Sequence, residues 1–172
     1  ITVEGANILT RSLIIYGQGA VRCHPFVHEE MEALAAGDVV RFDRAVFGHA
    51  GFVCHNAARA LLLGVTGGGL AQVPTSGPAA RHYRRFTRLS ADFALTSDVA
   101  MVTLGGSLKR REKITGRLAD ALAWMYLGSA ALKRFHGDGY PAEDCHLLDW
   151  SCEHAAWKVE EALEGVLANL PN

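Results

Sequence analysis

The sequence predicts an all-α fold, a bundle of about six helices, and three observations carry that expectation. Apolar residues recur at helical spacing, most regularly as Leu148, Cys152, Ala155, Val159, Ala162, Val166 and Leu170, which form one stripe. Stretches with the period-two alternation of strands are scarce. Glycine and proline cluster where helices should stop, as in "GVTGGGLAQVPTSGP" and "HGDGYP". At 172 residues and 49% hydrophobic content, the chain is long enough to bury one ordinary core.

Taken in order, the first helix is expected over about Ala6 to Tyr16, ending at Gly17 and Gly19, which suit a left-handed cap. A short second helix follows in "CHPFVHEEMEALAAG", with Pro25 in its first position and Gly37 at its end. Asp38 then caps a longer helix through "VVRFDRAVFGHAGFVCHNAARALLLG", with Val39, Phe42, Val46, Val53 and Ala57 along its apolar side. After the glycine-rich loop, Ser76 is expected to cap a helix from about Ala79 to Leu104, with Pro78 in its first turn and Gly105-Gly106 as its break. A further helix spans about Arg111 to Phe135. The last begins near Ala142 and carries the regular stripe, with Glu153, Glu160, Glu161 and Glu164 outside it.

Composition excludes several function classes. A net charge of −1 and a pI near 6.8 give no global electrostatic footprint for nucleic acid. The 4 cysteines, Cys23, Cys54, Cys145 and Cys152, form no C-x-x-C pair and read as reduced cytosolic thiols, which points to a cytoplasmic protein. No signal peptide is visible, and "LADALAWMYLGSAAL", interrupted by Asp120, reads as a buried core helix rather than a membrane span. The first residue is Ile1 rather than Met, and helix follows almost at once, so a piece of a longer protein is expected.

Several motifs look chemical and have simpler readings. "GVTGGGL" lacks the Gly-Lys-Ser/Thr ending of a phosphate-binding loop and joins helices, not a strand to a helix. Cys-His dipeptides occur at Cys23-His24, Cys54-His55 and Cys145-His146, but adjacent helical residues point about 100° apart and do not clamp one ion, so no metal site is expected. The basic clusters "RHYRRFTR" and "LKRREK" read either as solvated helix ends or as a positive surface for anionic lipid, a coenzyme A phosphate or a partner subunit. Arg59 lies in an apolar run and is expected to pair with Asp92 or Asp98 across a helix contact, because buried charges need partners.

Glu4 is the residue with two live readings: a first-turn carboxylate stabilising its helix by about 0.3–1 kcal/mol, or a placed catalytic base. "VEGANILTR" at positions 3 to 11 resembles the Glu-Gly-Thr/Ala-Asn-x-x-x-Arg segment of acyl-CoA dehydrogenases, in which the glutamate is the base. "GQGAVRCHP", "RLSADFALTSDVAMVTLGGSLKRRE", "RLADALAWMYLGSAALKRF" and "LANLPN" extend the likeness over nearly the whole chain. Together they resemble the bacterial long-chain acyl-CoA dehydrogenases of fatty-acid β-oxidation that carry an additional C-terminal helical region.

The resemblance implies that residues 1–22 are the end of the dehydrogenase's C-terminal helical domain and that 23–172 are the appended helical domain. It implies the cofactor FAD, an acyl-CoA substrate, an electron-transfer acceptor for the flavin, and a homo-oligomer. It further implies that Glu4 takes the α-proton while the β-hydride goes to flavin N5. The Glu4 backbone N–H would hold the thioester oxygen, Gly5 would let the backbone approach the substrate, and Ala6 and Asn7 would lie against the flavin. Two positions depart from the family pattern. Val3 stands where many members have an aromatic residue, and Ala6 where many have Thr, so the flavin contacts of Ala6 and Asn7 are weak ones. Read from the residues, Val3 and Ile1 make the approach apolar, and a helix N-terminus at Ala6 would offer oriented N–H groups. A second reading makes 23–172 a non-catalytic interaction module. It would serve a dimer, or peripheral docking at the bacterial inner membrane through Arg81, Arg84, Arg85 and Lys109 to Arg111.

Overall fold

The computed structural model describes residues 2–171, without the side chains of 2–4, 20 and 21. Helix α1 (Thr2–Leu9) runs without a break into a π-helical stretch (Thr10–Gln18) and then α2 (Gly19–Cys23). The expected bounds, Ala6 to Tyr16 with a stop at Gly17 and Gly19, are therefore corrected. Nothing in "TVEGANIL" forbids helix, and Gly19 keeps right-handed helical angles (φ −62°, ψ −45°). A Cβ at Gly17 would sit 3.1 Å from the Ser12 carbonyl oxygen, so glycine leaves room for the wider π turn.

The next stop signals act as the residues suggest. Helix α3 (Val27–Ala36) ends at Gly37 in the left-handed region (φ 69°), and Asp38 caps α4 (Val39–Val65) by accepting the Arg41 N–H at 3.0 Å. Pro25 is not the first helical residue. It stands ahead of α3, whose first N–H groups are held by His24: its Nδ1 accepts from the backbone of Phe26 and Val27, each at 3.2 Å. The buried line of α4 also differs from the expected one. Ala45, Asn56, Ala60 and Leu63 face inward, while Val39 and Val46 are exposed, because the inner face meets small residues of α5 such as Ala91.

In the glycine-rich loop, Gly68 adopts φ 80°, and a Cβ there would sit 2.8 Å from the Arg84 carbonyl oxygen of the following helix. Glycine is needed for that close approach, which accounts for the loop without a ligand. Helix α5 (Ala80–Leu104) has no side-chain cap. Thr75, not Ser76, takes the local hydrogen bond, accepting the Gly77 N–H at 3.2 Å. A 3₁₀ stretch (Gly105–Arg110) leads to α6 (Glu112–Gly137), and a second one (Ala142–Asp144) leads to α7 (Cys145–Leu167).

Helices α5, α6 and α7 enclose the main core. Leu89, Leu118, Leu132, Phe135, Cys152, Val159 and Val166 are buried together, and Tyr16 joins them from the π-helical stretch. Six of the seven residues in the expected α7 stripe are buried, and Leu170 packs against them. At Gly128 the Phe86 ring of α5 lies against the α6 backbone, since a Cβ there would overlap that ring. Helices α3 and α4 form an outer layer on α5 through the small cluster Ala60, Leu63 and Ala91. No strand occurs among the described residues, so the architecture is an all-α bundle of about six helical bodies, with α1 to α2 counted as one.

Candidate functional site

Two places in this fold have chemical interest: the N-terminal helical run that carries Glu4, and a polar centre buried between α4 and α5. Glu4 lies within α1 rather than ahead of it, so the expected oriented N–H groups of a helix starting at Ala6 do not form. The side chains of Val3 and Glu4, and all of Ile1, lie outside the described residues. Gly5, Ala6 and Asn7 follow on α1 and are exposed. A Cβ at Gly5 would meet nothing within 4 Å among the described residues. The adjoining recess is lined by Gly5, Ile8, Leu9, Ser12, Leu13 and Glu112 and measures about 150 Å³. Enclosed ligand sites run roughly 300–1,000 Å³. The described residues around Gly5 thus form an open face with a small recess.

The helix behind this face is firmly held. Arg11 Nε lies 2.9 Å from an Asp120 carboxylate oxygen on α6 and also donates to the Gly116 carbonyl at 3.4 Å. Burial raises the Asp120 carboxyl above its ordinary value, and the Arg11 and Arg117 guanidinium groups oppose that rise.

The polar centre is built around Asp98. Asp98, 2% exposed, accepts a hydrogen bond from Asn56 Nδ2 at 2.9 Å. The expected pairing of Arg59 with an aspartate is corrected: Arg59 donates to Ser90 Oγ at 3.1 Å, and Asp92 stands 3.9 Å from Arg88. The α4–α5 register brings Asn56, one turn before Arg59, opposite Asp98. His24 packs against His49 with ring centroids 4.5 Å apart, and His49 Nδ1 lies 2.8 Å from Glu30. Burial and the neighbouring His49 lower the His24 pKa, although Asp98 and Glu30 pull the other way. Among the described residues the Cys-His dipeptides build no ligand group of three. His24 alone gathers with His49 and Asp98. The signal available for His49 was its spacing to Phe52 and Asn56 along one face of α4.

The basic cluster of α5 is largely consumed by α7. Arg81 pairs with Asp149 at 2.8 Å, and Arg85 and Arg88 share Glu160 at 3.1 and 3.0 Å. Glu153 also pairs with Arg85. Lys109, Arg110 and Arg111 remain exposed. Among the described residues, no helix is long and apolar enough to cross a membrane.

No solved structure matches the chain. A family model described as "Acyl-CoA dehydrogenase, C-terminal, bacterial type" matches residues 21–172, which takes in α3 to α7 and the main buried core apart from Tyr16. The chain therefore belongs to the bacterial-type acyl-CoA dehydrogenase C-terminal family.

Proposed function

We propose that this chain is the C-terminal portion of an FAD-dependent acyl-CoA dehydrogenase, acting on acyl-CoA in the first step of fatty-acid β-oxidation. The reading assigns residues 1–22 to the end of the dehydrogenase domain and 23–172 to the appended helical domain. The product is the trans-2,3-unsaturated thioester, and Glu4 is the base that takes the α-proton. The observation that carries the reading is the family match over 21–172, with "VEGANILTR" upstream of it at residues 3–11.

The α-protons of a thioester are weakly acidic, so the base gains strength in an apolar cleft from which water is excluded. Donors to the thioester oxygen stabilise the charge that develops there. In this reading the backbone N–H of Glu4 is one donor, and Gly5 lets the substrate approach. FAD supplies the hydride acceptor when bound. The chemistry this reading assigns to the chain is proton removal alone, and in the same reading the 172-residue chain by itself binds no FAD and is inactive. The flavin's electron-transfer acceptor and a homo-oligomeric assembly belong to the same reading, in the cytoplasm.

Glu4→Gln in the intact enzyme tests it. The expected outcome is acyl-CoA binding retained, with flavin reduction by substrate slowed at least about 100-fold, the usual scale of a general base. Near-normal reduction overturns the assignment.

A second reading, that 23–172 are an interaction module, is favoured by the apolar outer face of α4, where Phe47 is 77% exposed and Val65 80%. A second copy of the chain is the occupant proposed for it. Light scattering of Phe47→Glu tests this: an unchanged mass refutes it. Docking at the inner membrane through the α5 arginines has less support, because Arg81 and Arg85 are engaged with α7.

A further inference from the structure

We propose that His24, His49 and Asp98 form a binding site for one divalent transition-metal ion of the zinc class. The three residues come from the link between α2 and α3, from α4 and from α5, and their ligand atoms all lie within 4.8 Å of one another. Two imidazoles and a carboxylate are the donor set such ions take, with a fourth position left for water.

Two of the three ligands, His49 and Asp98, are oriented by a neighbour. Glu30 stands 2.8 Å from His49 Nδ1 and its carboxylate accepts the Nδ1–H hydrogen bond, which leaves Nε2 of the neutral ring with a free lone pair. His49 Nε2 is buried and has no hydrogen-bond partner. His24 Nε2 is in the same condition, on a side chain only 8% exposed, and its 3.7 Å separation from Asp98 Oδ1 is too long for a hydrogen bond. Asp98 is fixed through its other oxygen by the Asn56 amide, which is neutral. No arginine or lysine pairs with Asp98 among the described residues. A buried carboxylate beside two orphaned imidazole nitrogens is costly as it stands, and a cation at their centre would satisfy all three.

An approach from solvent exists. A mainly apolar cavity of about 350 Å³ is lined by Tyr16, His24, Phe52, Asn56, Ser97 and Asp98, among others. Ser97 Oγ and Tyr16 Oη, on residues that line the same cavity, are also buried without hydrogen-bond partners. Metal entry has one local consequence. His24 Nδ1 now accepts the Phe26 and Val27 N–H groups, so the ring's proton is on Nε2. Coordination at Nε2 moves that proton to Nδ1, no proton leaves the ring, and the two amides are released.

The test is titration of the intact protein with Co²⁺ alone, followed by displacement with Zn²⁺. The site predicts visible ligand-field absorption saturating at one equivalent, abolished by Zn²⁺ and missing in His49→Ala and Asp98→Asn. Zn²⁺ should also raise the melting temperature of the parent protein and not of those variants. Glu30→Gln removes no ligand and keeps the fold testable if the other variants do not fold. It should weaken Co²⁺ binding about 10–100-fold. Absence of the visible band overturns the proposal and leaves a bridging water at the centre. Absorption that persists unchanged in the variants, or that carries thiolate charge-transfer bands from exposed Cys23 or Cys54, also overturns it.

Discussion

Replacing Gly128 by alanine drives a methyl group into the α5–α6 contact. The added Cβ would lie 2.6 Å from Phe86 Cε1, whereas carbon atoms in good contact sit about 3.5–4.0 Å apart. Phe86 Cζ lies closer still, so the ring must retreat by more than about 1 Å. That ring is 7% exposed and belongs to the main core, so its neighbours must shift with it. Overpacking of this kind costs about 1–3 kcal/mol, and a misfit of this size belongs in the upper half of that range. Alanine returns at most about 1 kcal/mol of helix propensity. The net expectation is a loss of about 1–2 kcal/mol, or about 2–8 °C in Tm for a chain this size. Urea unfolding measures it through tryptophan fluorescence, since Trp124, Trp150 and Trp157 all surround His154. Gly51→Ala in α4 is the control, because a Cβ there meets nothing within 4 Å, and it should gain up to about 1 kcal/mol. Equal stabilisation by both substitutions would refute the packing argument.

Three further outcomes follow from particular side chains. Asn56→Ala removes the 2.9 Å hydrogen bond to buried Asp98 and should cost about 1–3 kcal/mol, read by the same denaturation. The His82 hydrogen bond, helped by Arg81 and opposed by burial, holds the Asp149 carboxyl below its ordinary value. The folded value thus lies below the unfolded one, so this stabilisation is complete above about pH 4 and fades as pH falls through the folded value. Asp149→Asn should flatten the stability profile in that acid window, and an unchanged profile contradicts the pairing. Burial pushes the Cys152 thiol up to about 12, with Asp149 and Glu153 adding to it, whereas Cys23 and Cys54 are exposed. A chromogenic disulfide reagent at pH 8 should therefore label Cys23 and Cys54 promptly and Cys152 only after unfolding.

Where structure is decided within one helical turn, the sequence was readable. Gly37 and Asp38 end α3 and cap α4 as residue type alone indicates, and the α7 stripe lies in the core at the expected spacing. Features set by how two distant helices meet were not readable. Asn56 and Asp98 are 42 positions apart, and only the α4–α5 register decides that Asn56, not Arg59, faces the carboxylate. Register likewise turns Val39 and Val46 outward, because the inner face of α4 must fit the small residues of α5. The π-helical stretch escaped for a different reason. Gly17 and Gly19 resemble stop signals, yet Gly17 serves to admit the Ser12 carbonyl within a continuing helix. The catalytic candidate came from resemblance, and the His24–His49–Asp98 centre came from the tertiary fold.

The central claim is that Glu4 removes the α-proton of an acyl-CoA. Exchange of that proton with solvent deuterium isolates the step from hydride transfer. It can be followed by mass spectrometry of acyl-CoA incubated in D₂O with the intact enzyme. The account predicts α-deuterium incorporation by the parent enzyme and its loss, by at least about 100-fold, in Glu4→Gln that still binds the thioester. Exchange at the parent rate in Glu4→Gln would contradict it.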